Sequence, residues 1–115
     1  MCGRFSITAT KEDVEELFGV DGVDDFPPRY NIAPTQPILM VRQVSRGGDG
    51  ANRPNREALL VRWGLIPSWV KDVKAFPLLI NARSETVIEK NSFRAAIRHR
   101  RTLIPASGFY EWKRS

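Results

Sequence analysis

Cys2 is the only cysteine in a chain of 115 residues, and it directly follows the initiator methionine. A small residue in that position usually allows the methionine to be removed. The cysteine would then carry its α-amine and its thiol on one two-carbon unit. Such a 1,2-aminothiol traps aldehydes: the amine condenses to an imine, the thiolate closes on the imine carbon, and a five-membered thiazolidine forms. An ordinary α-amine titrates near ~7.7–8.0 and an ordinary thiol near ~8.5, so both are partly reactive at neutral pH. Taken alone, Met1-Cys2 reads more simply as a cysteine that lies next to the start codon. The residues that follow shift that balance.

In Gly3-Arg4-Phe5-Ser6-Ile7-Thr8, Phe5 and Ile7 alternate with polar neighbours, the pattern of a half-buried strand. Chain termini fray unless a sheet holds them. A strand beginning beside Cys2 would therefore hold its thiol in place, and positioning supplies much of the rate of nucleophilic chemistry. Gly3 serves as a strand-entry residue and also leaves the approach to Cys2 open; the two roles are compatible.

The remaining elements must carry that strand. Residues 10–18 read as a helix, with Thr10 and Asp13 as its start, Val14, Leu17 and Phe18 as its apolar face, and Gly19 as its stop. Residues 20–36 are loop-like. Segments 37–44 and 57–63 read as an antiparallel hairpin, joined by a polar loop over 45–56. Residues 64–77 form an apolar loop with a short helical turn. Residues 91–99 are expected to be helical, capped by Asn91 or Ser92, with Phe93 and Ile97 buried. Segments 101–105 and 108–113 read as two short strands. Trp63 and Trp112 are assigned to the core. No repeat or coiled-coil pattern is present. The expected class is α+β, a β-rich fold with mainly antiparallel strands and a few short helices.

Composition bounds the function. The length suits one domain or part of one, and 42% hydrophobic residues support a core. No apolar run is long enough to span a membrane, and no charged-then-apolar leader precedes a cleavage site, so neither a membrane anchor nor a secretory signal is expected. A single cysteine excludes a disulfide or a cysteine zinc cluster within the chain and points to a reducing cytosol. No metal and no cofactor are expected. The formal charge is +5, which suits a nucleic-acid partner but is also found on ordinary soluble surfaces. Residues 11–25 are acidic, whereas Arg94, Arg98, Arg100 and Arg101, with His99, make 94–101 strongly basic. One face could meet phosphate while another faces solvent.

Five blocks now stand in order: Met1-Cys2-Gly3-Arg4-Phe5, RYNIAP (29–34), WGLIPSW (63–69), NARSET (81–86) and LIPASGFYEW (103–112). Together they resemble the SOS-response-associated peptidase (SRAP) family over the whole chain. The resemblance implies a compact, β-rich α+β domain with a positively charged groove for single-stranded DNA. It implies a covalent crosslink to abasic sites through a thiazolidine at the N-terminal cysteine, and autoproteolytic removal of the initiator methionine. The ring-opened abasic sugar is an aldehyde, which is what the aminothiol of Cys2 would capture. The implied partner is single-stranded DNA containing abasic sites, and the expected setting is a bacterial cytoplasm, in association with the nucleoid.

The resemblance assigns roles residue by residue. Cys2 is the implied nucleophile. Asn81 is the implied hydrogen-bonding residue near the terminus and the abasic sugar; by type alone it reads as a strand-end asparagine. Glu111 is the implied catalytic carboxylate, on the opposite strand face from Tyr110 and Trp112. A carboxylate beside an amine can shuttle protons during imine formation and ring closure, an effect worth ~10²–10⁴-fold; without the family it reads as a solvated strand glutamate. Arg4 and Arg83 are the implied DNA contacts, since the guanidinium fork suits phosphate; surface salt bridges are the plainer alternative. Pro34 and Trp69 are the implied wedge against bases beside the lesion. Family members often carry a second aromatic after Trp69, where this chain has Val70. Glu85 is expected to support Arg83 or the fold, His99 to be a surface residue, and the 98–101 run to be a secondary phosphate patch.

Family members are longer and carry a functional histidine in a second half, in a His-Arg-Met-Pro-like stretch that His99 does not match. Residues 1–115 therefore read as the N-terminal portion of a single SRAP domain, with exposed strand edges and apolar faces that invite self-association. Two other classes compete: a peptidase acting on other proteins, which would need a peptide groove the sequence does not display, and a non-covalent single-stranded DNA binder with an incidental Cys2.

Overall fold

A computed structural model of the chain describes residues 2–44 and 55–113. Met1, whose removal is expected, and most of the expected 45–56 loop lie outside the described residues. Among those described, the elements run β1 (Arg4–Ile7), α1 (Lys11–Phe18), β2 (Arg29–Ile32), β3 (Pro37–Gln43), β4 (Arg56–Arg62), a 3₁₀ turn (Val73–Ala75), α2 (Arg94–His99) and β5 (Gly108–Tyr110). The result is strand-rich, with antiparallel sheets and few helices.

The alternation after Cys2 does form a strand, and it becomes the centre of a three-stranded antiparallel sheet ordered β2-β1-β5. Phe5 pairs with Ile32 on one side and with Phe109 on the other. Its register with β2 shifts between Phe5 and Ile7. Phe5 and Ile7 are buried, whereas Arg4 faces solvent. The expected hairpin is a second sheet, β3-β4, paired from Pro37↔Arg62 to Gln43↔Arg56. The core lies between these sheets and α1: Phe5, Ile7, Val14, Val20, Val23, Ile32, Ile38 and Val41. Trp63 packs against it, edge-on to Phe5 with centroids 5.2 Å apart.

Local chemistry explains α1. The Thr10 hydroxyl accepts from the Asp13 backbone N–H, and the Asp13 carboxylate accepts from the Thr10 N–H, so two otherwise orphan donors are satisfied reciprocally. Gly19 ends the helix in the left-handed region, at φ 64°, where a side chain would be disfavoured. Val14 is buried and Phe18 packs on the core, but Leu17, expected on the same face, is 79% exposed. A helix this short docks along its i, i+4 row, and Leu17 falls outside it.

Several expectations are corrected. Residues 29–32 are a strand and not loop, because the open edge of β1 supplies its partners. The expected strand over 101–105 reduces to one bridge, in which Leu103 and Val41 exchange both backbone bonds at 2.9 Å. Pro105 has no N–H with which to extend it. The last strand stops at Tyr110, leaving Glu111 and Trp112 beyond it, and Trp112 is 97% exposed rather than in the core. Helix α2 begins after Phe93 with no side-chain cap from Asn91 or Ser92, and Phe93 and Ile97 are only half-buried. The short helical turn expected between Gly64 and Pro77 is present as Val73–Ala75, capped by Asp72.

Candidate functional site

Cys2 enters β1 half-buried and in contact with the core. Its thiol donates to the Arg4 carbonyl at 3.2 Å. Across 79 positions of sequence, the Asn81 side-chain amide donates to the Cys2 carbonyl at 2.7 Å. The segment carrying Asn81 is brought there by backbone-directed bonds: Leu65 N–H to the Leu79 carbonyl at 2.8 Å, and the Trp63 indole N–H to the Ile80 carbonyl at 3.1 Å. The apolar loop after β4 therefore folds back and delivers an amide to the terminal peptide. A flexible terminus has become a placed one.

Two grooves meet beside Cys2. One is apolar, with Cys2 and Asn81 on its wall next to Phe5, Trp63, Ile80 and Phe109. The other is polar and aromatic, lined by Gly3, Arg4, Tyr30, Tyr110, Glu111 and Trp112 among others. The sheet register explains the division. Phe109 is opposite Phe5 and Tyr110 opposite Arg4, so Phe5 serves the first groove and Arg4 and Tyr110 the second, while Phe109 lines both. Arg4 donates to the Asn31 amide oxygen at 3.2 Å, and the Tyr110 hydroxyl donates to the Tyr30 carbonyl at 2.7 Å. These bonds hold the second groove's walls together and leave the Arg4 charge unneutralised by that contact. Glu111 lines this groove as well, but from beyond the end of β5 and not from within a strand.

Arg83 lies two residues after Asn81, exposed, and its side chain has no hydrogen bond or ion pair among the described residues. Glu85 accepts from Ser84 at 3.3 Å and does not pair with Arg83. Pro34 is half-buried in a tight turn before β3, closed by the Gln36 N–H to the Ala33 carbonyl at 3.3 Å. Thr35, next to it, has φ 73°, a position that ordinarily takes glycine or asparagine. Its N–H donates to the Trp63 carbonyl at 2.9 Å, which keeps the strained residue in place. Neither Pro34 nor Trp69 lines either groove at Cys2. Trp69 stands edge-on to Phe76, with centroids 5.7 Å apart, and lines a separate groove with α2.

The structure thus brings Cys2 and Asn81 into contact, sets Arg4 and Glu111 in the adjoining groove, and places Pro34 and Trp69 elsewhere. Residue-by-residue reasoning missed Asn31, Tyr30, Tyr110 and Thr35. All four lie inside the motif blocks or directly beside one, which was the available signal. Among the described residues no group of three or more His, Cys, Asp or Glu is arranged to hold a metal, and no helix is long and apolar enough to cross a membrane.

Comparison with known proteins gives this arrangement its context. An abasic site processing protein of Bacillus subtilis strain 168, YoqW, is 46% identical over 99% of this chain and 49% of its own length. YedK of Escherichia coli K12, named likewise, is 33% identical over 99% of this chain and 49% of its own. The rat protein HMCES, also named an abasic site processing protein, is 38% identical over 79% of this chain and 27% of its own. The chain spans about half the length of these bacterial relatives. The family model described as SOS response associated peptidase (SRAP) matches residues 1–115, and the chain belongs to that family.

Proposed function

We propose that this chain is the Cys2-bearing portion of an abasic-site processing protein that captures the lesion covalently in single-stranded DNA. Hydrolysis of the Met1–Cys2 bond, an autoproteolytic step, exposes the α-amine. The amine adds to the C1 aldehyde of the ring-opened sugar and loses water to give an imine. The Cys2 thiolate then adds to the imine carbon, the nitrogen takes a proton, and the thiazolidine closes. No oxidant or cofactor is needed for the balance. The observation that carries this reading is the 2.7 Å bond from Asn81 to the Cys2 carbonyl, made on the wall of the apolar groove that both residues line.

Asn81 orients the terminal peptide so that amine and thiol face one carbon. Glu111 shuttles the protons that imine formation and ring closure require. Arg4 and Arg83 hold the phosphates on either side of the sugar, a task suited to the planar guanidinium. Pro34 and Trp69 bear on bases flanking the lesion at a distance from the reacting atoms. The exposed Leu60, Phe109 and Trp112 favour association with a further polypeptide surface, a second copy of the chain included.

Intact-mass spectrometry after mixing with an abasic single-stranded oligonucleotide tests the reading. The expected product is protein lacking Met1 plus oligonucleotide minus one water, absent when the aldehyde has first been reduced to the alcohol. Oligonucleotide binding with no mass change would instead identify a non-covalent binder. Cleavage of added peptides without DNA attachment would identify a peptidase.

A further inference from the structure

Trp63 stands just past the end of β4, and each of its polar groups is engaged. Its backbone N–H donates to the Gln36 carbonyl at 3.1 Å, and its carbonyl accepts from the Thr35 N–H at 2.9 Å. With the main chain pinned on both sides, the indole bridges two other segments. Its Nε1–H donates to the Ile80 carbonyl at 3.1 Å, in a half-buried setting that strengthens the bond. That carbonyl belongs to the planar peptide group joining Ile80 to Asn81, so the bond fixes the plane from which Asn81 leaves. The ring meets Phe5 edge-on with centroids 5.2 Å apart. Phe5 is buried in the strand that Cys2 enters, three residues after it. One rigid side chain thus touches both sides of the Asn81–Cys2 contact and sets the gap across which its 2.7 Å bond is made. A tryptophan kept for packing needs only some acceptor for its N–H. Here the acceptor lies next to the amide that holds Cys2.

We infer that Trp63 is a positioning residue for the reaction at Cys2: its Nε1–H holds the Asn81 amide at the Cys2 carbonyl, and the rate of thiazolidine closure depends on that N–H. The inference rests on the reading of Cys2 as the nucleophile and goes beyond it, because Trp63 acts through Asn81 and not on a reacting atom. Loss of the N–H leaves the Ile80 carbonyl without its donor and frees the Ile80–Asn81 peptide to turn. The amide then reaches Cys2 in only a fraction of molecules. A small displacement of an orienting group is costly for chemistry at one carbon. Oligonucleotide affinity is expected to hold, because the main-chain bonds to Thr35 and Gln36 remain whatever side chain position 63 carries.

The test replaces Trp63 with β-(3-benzothienyl)alanine, an isostere that carries sulfur in place of the indole N–H. Shape and apolar area are kept, and urea unfolding checks that the fold survives. Single-turnover crosslinking at saturating abasic oligonucleotide should slow at least about fivefold, the size of one net hydrogen bond. Affinity for an undamaged single-stranded oligonucleotide should stay within about twofold of wild type. In an Asn81→Ala background the same replacement should slow the reaction by less than about twofold, because the group through which it acts is gone. A wild-type rate in the isostere overturns the inference. Equal losses in the two backgrounds also overturn it, since Trp63 would then act on the fold and not through Asn81. Hydrogen exchange of the Asn81 side-chain amide, read by NMR, needs no crosslink. The isostere should lower its protection at least about fivefold, and unchanged protection again overturns the inference. Lost protection in a chain that never crosslinks supports the hold of Trp63 on Asn81 and overturns the Cys2 reading alone.

Discussion

The Cys2 end and the α2 groove are built by opposite means. Around Cys2 the thiol's own bond to the Arg4 carbonyl is local, but the bonds that bring separate elements together are long-range: Asn81 reaches back 79 positions, Tyr110 reaches 80 to Tyr30, and Arg4 reaches 27 to Asn31. Around α2 the bonds are local, from Phe93 and Arg94 N–H to the Lys90 carbonyl and from Arg101 to the Ile97 carbonyl. Long-range bonds order one geometry, which covalent chemistry on a single carbon requires. Local turns with exposed cations give charge density with tolerance in position, which is sufficient for a phosphate backbone that carries no sequence. The contrast makes a general expectation: substitutions at the Cys2 end should change rate, and substitutions of exposed cations should change affinity.

The largest effect should come from inserting one alanine between Met1 and Cys2. Cys2 then loses its α-amine while keeping its thiol, and stable crosslinking to abasic DNA should vanish; a normal crosslink yield in that variant would sink the thiazolidine chemistry. Next is Asn81→Ala, which frees the Cys2 carbonyl and should lower the single-turnover crosslinking rate by at least about tenfold while oligonucleotide affinity holds. A loss confined to affinity would place Asn81 on the binding side of the comparison. Glu111→Gln keeps shape and removes the titrating proton, so its rate should fall by about tenfold with affinity held or slightly raised. A wild-type rate would leave Glu111 a groove residue without a proton to move.

Smaller effects are expected from cations. Arg4→Ala and Arg83→Ala should each lower the log–log salt slope by about 0.7, with the crosslinking rate at saturation little changed. If the slope stays put in both, the strand follows α2 alone. The smallest effect concerns Thr35→Gly. A β-branched residue at φ 73° costs about 1–2 kcal/mol, part of which glycine returns to the unfolded chain, so the net gain should be about 0.5–1 kcal/mol in urea unfolding. A loss of stability would show that Thr35's side chain contributes more than its strain takes away.

Wherever neighbours in sequence carry the physics, the chain could be read directly. The Phe5/Ile7 alternation marked β1, the Thr10/Asp13 box marked the start of α1, and the paired apolar runs marked β3 and β4. Where distant partners carry it, reading fell short. β2 exists because β1 has an open edge, and Leu103 forms a bridge because β3 has another. Trp112 has the composition of a core residue, but β5 ended before it and nothing described covers it. Pro34 and Trp69, paired by the resemblance as a wedge, lie apart from the grooves beside Cys2, and Trp69 lines a groove with α2 that no local pattern indicated. Glu111 was legible as a candidate through its motif, although its place beyond the strand was not.

What the sequence by itself determined is the set of groups available: one cysteine directly after the initiator methionine, an amide and a carboxylate within recognisable motifs, and an excess of arginine, because these depend only on residue type and local order. Only the tertiary structure decided which of those groups meet. Asn81 reaches the Cys2 carbonyl because the loop after β4 folds back through the Leu65–Leu79 and Trp63–Ile80 bonds, and Arg4 shares a groove with Glu111 because β5 returns antiparallel beside β1. Closing such long loops costs entropy that no local pattern reveals, and it is recovered only when the distant partners pack together.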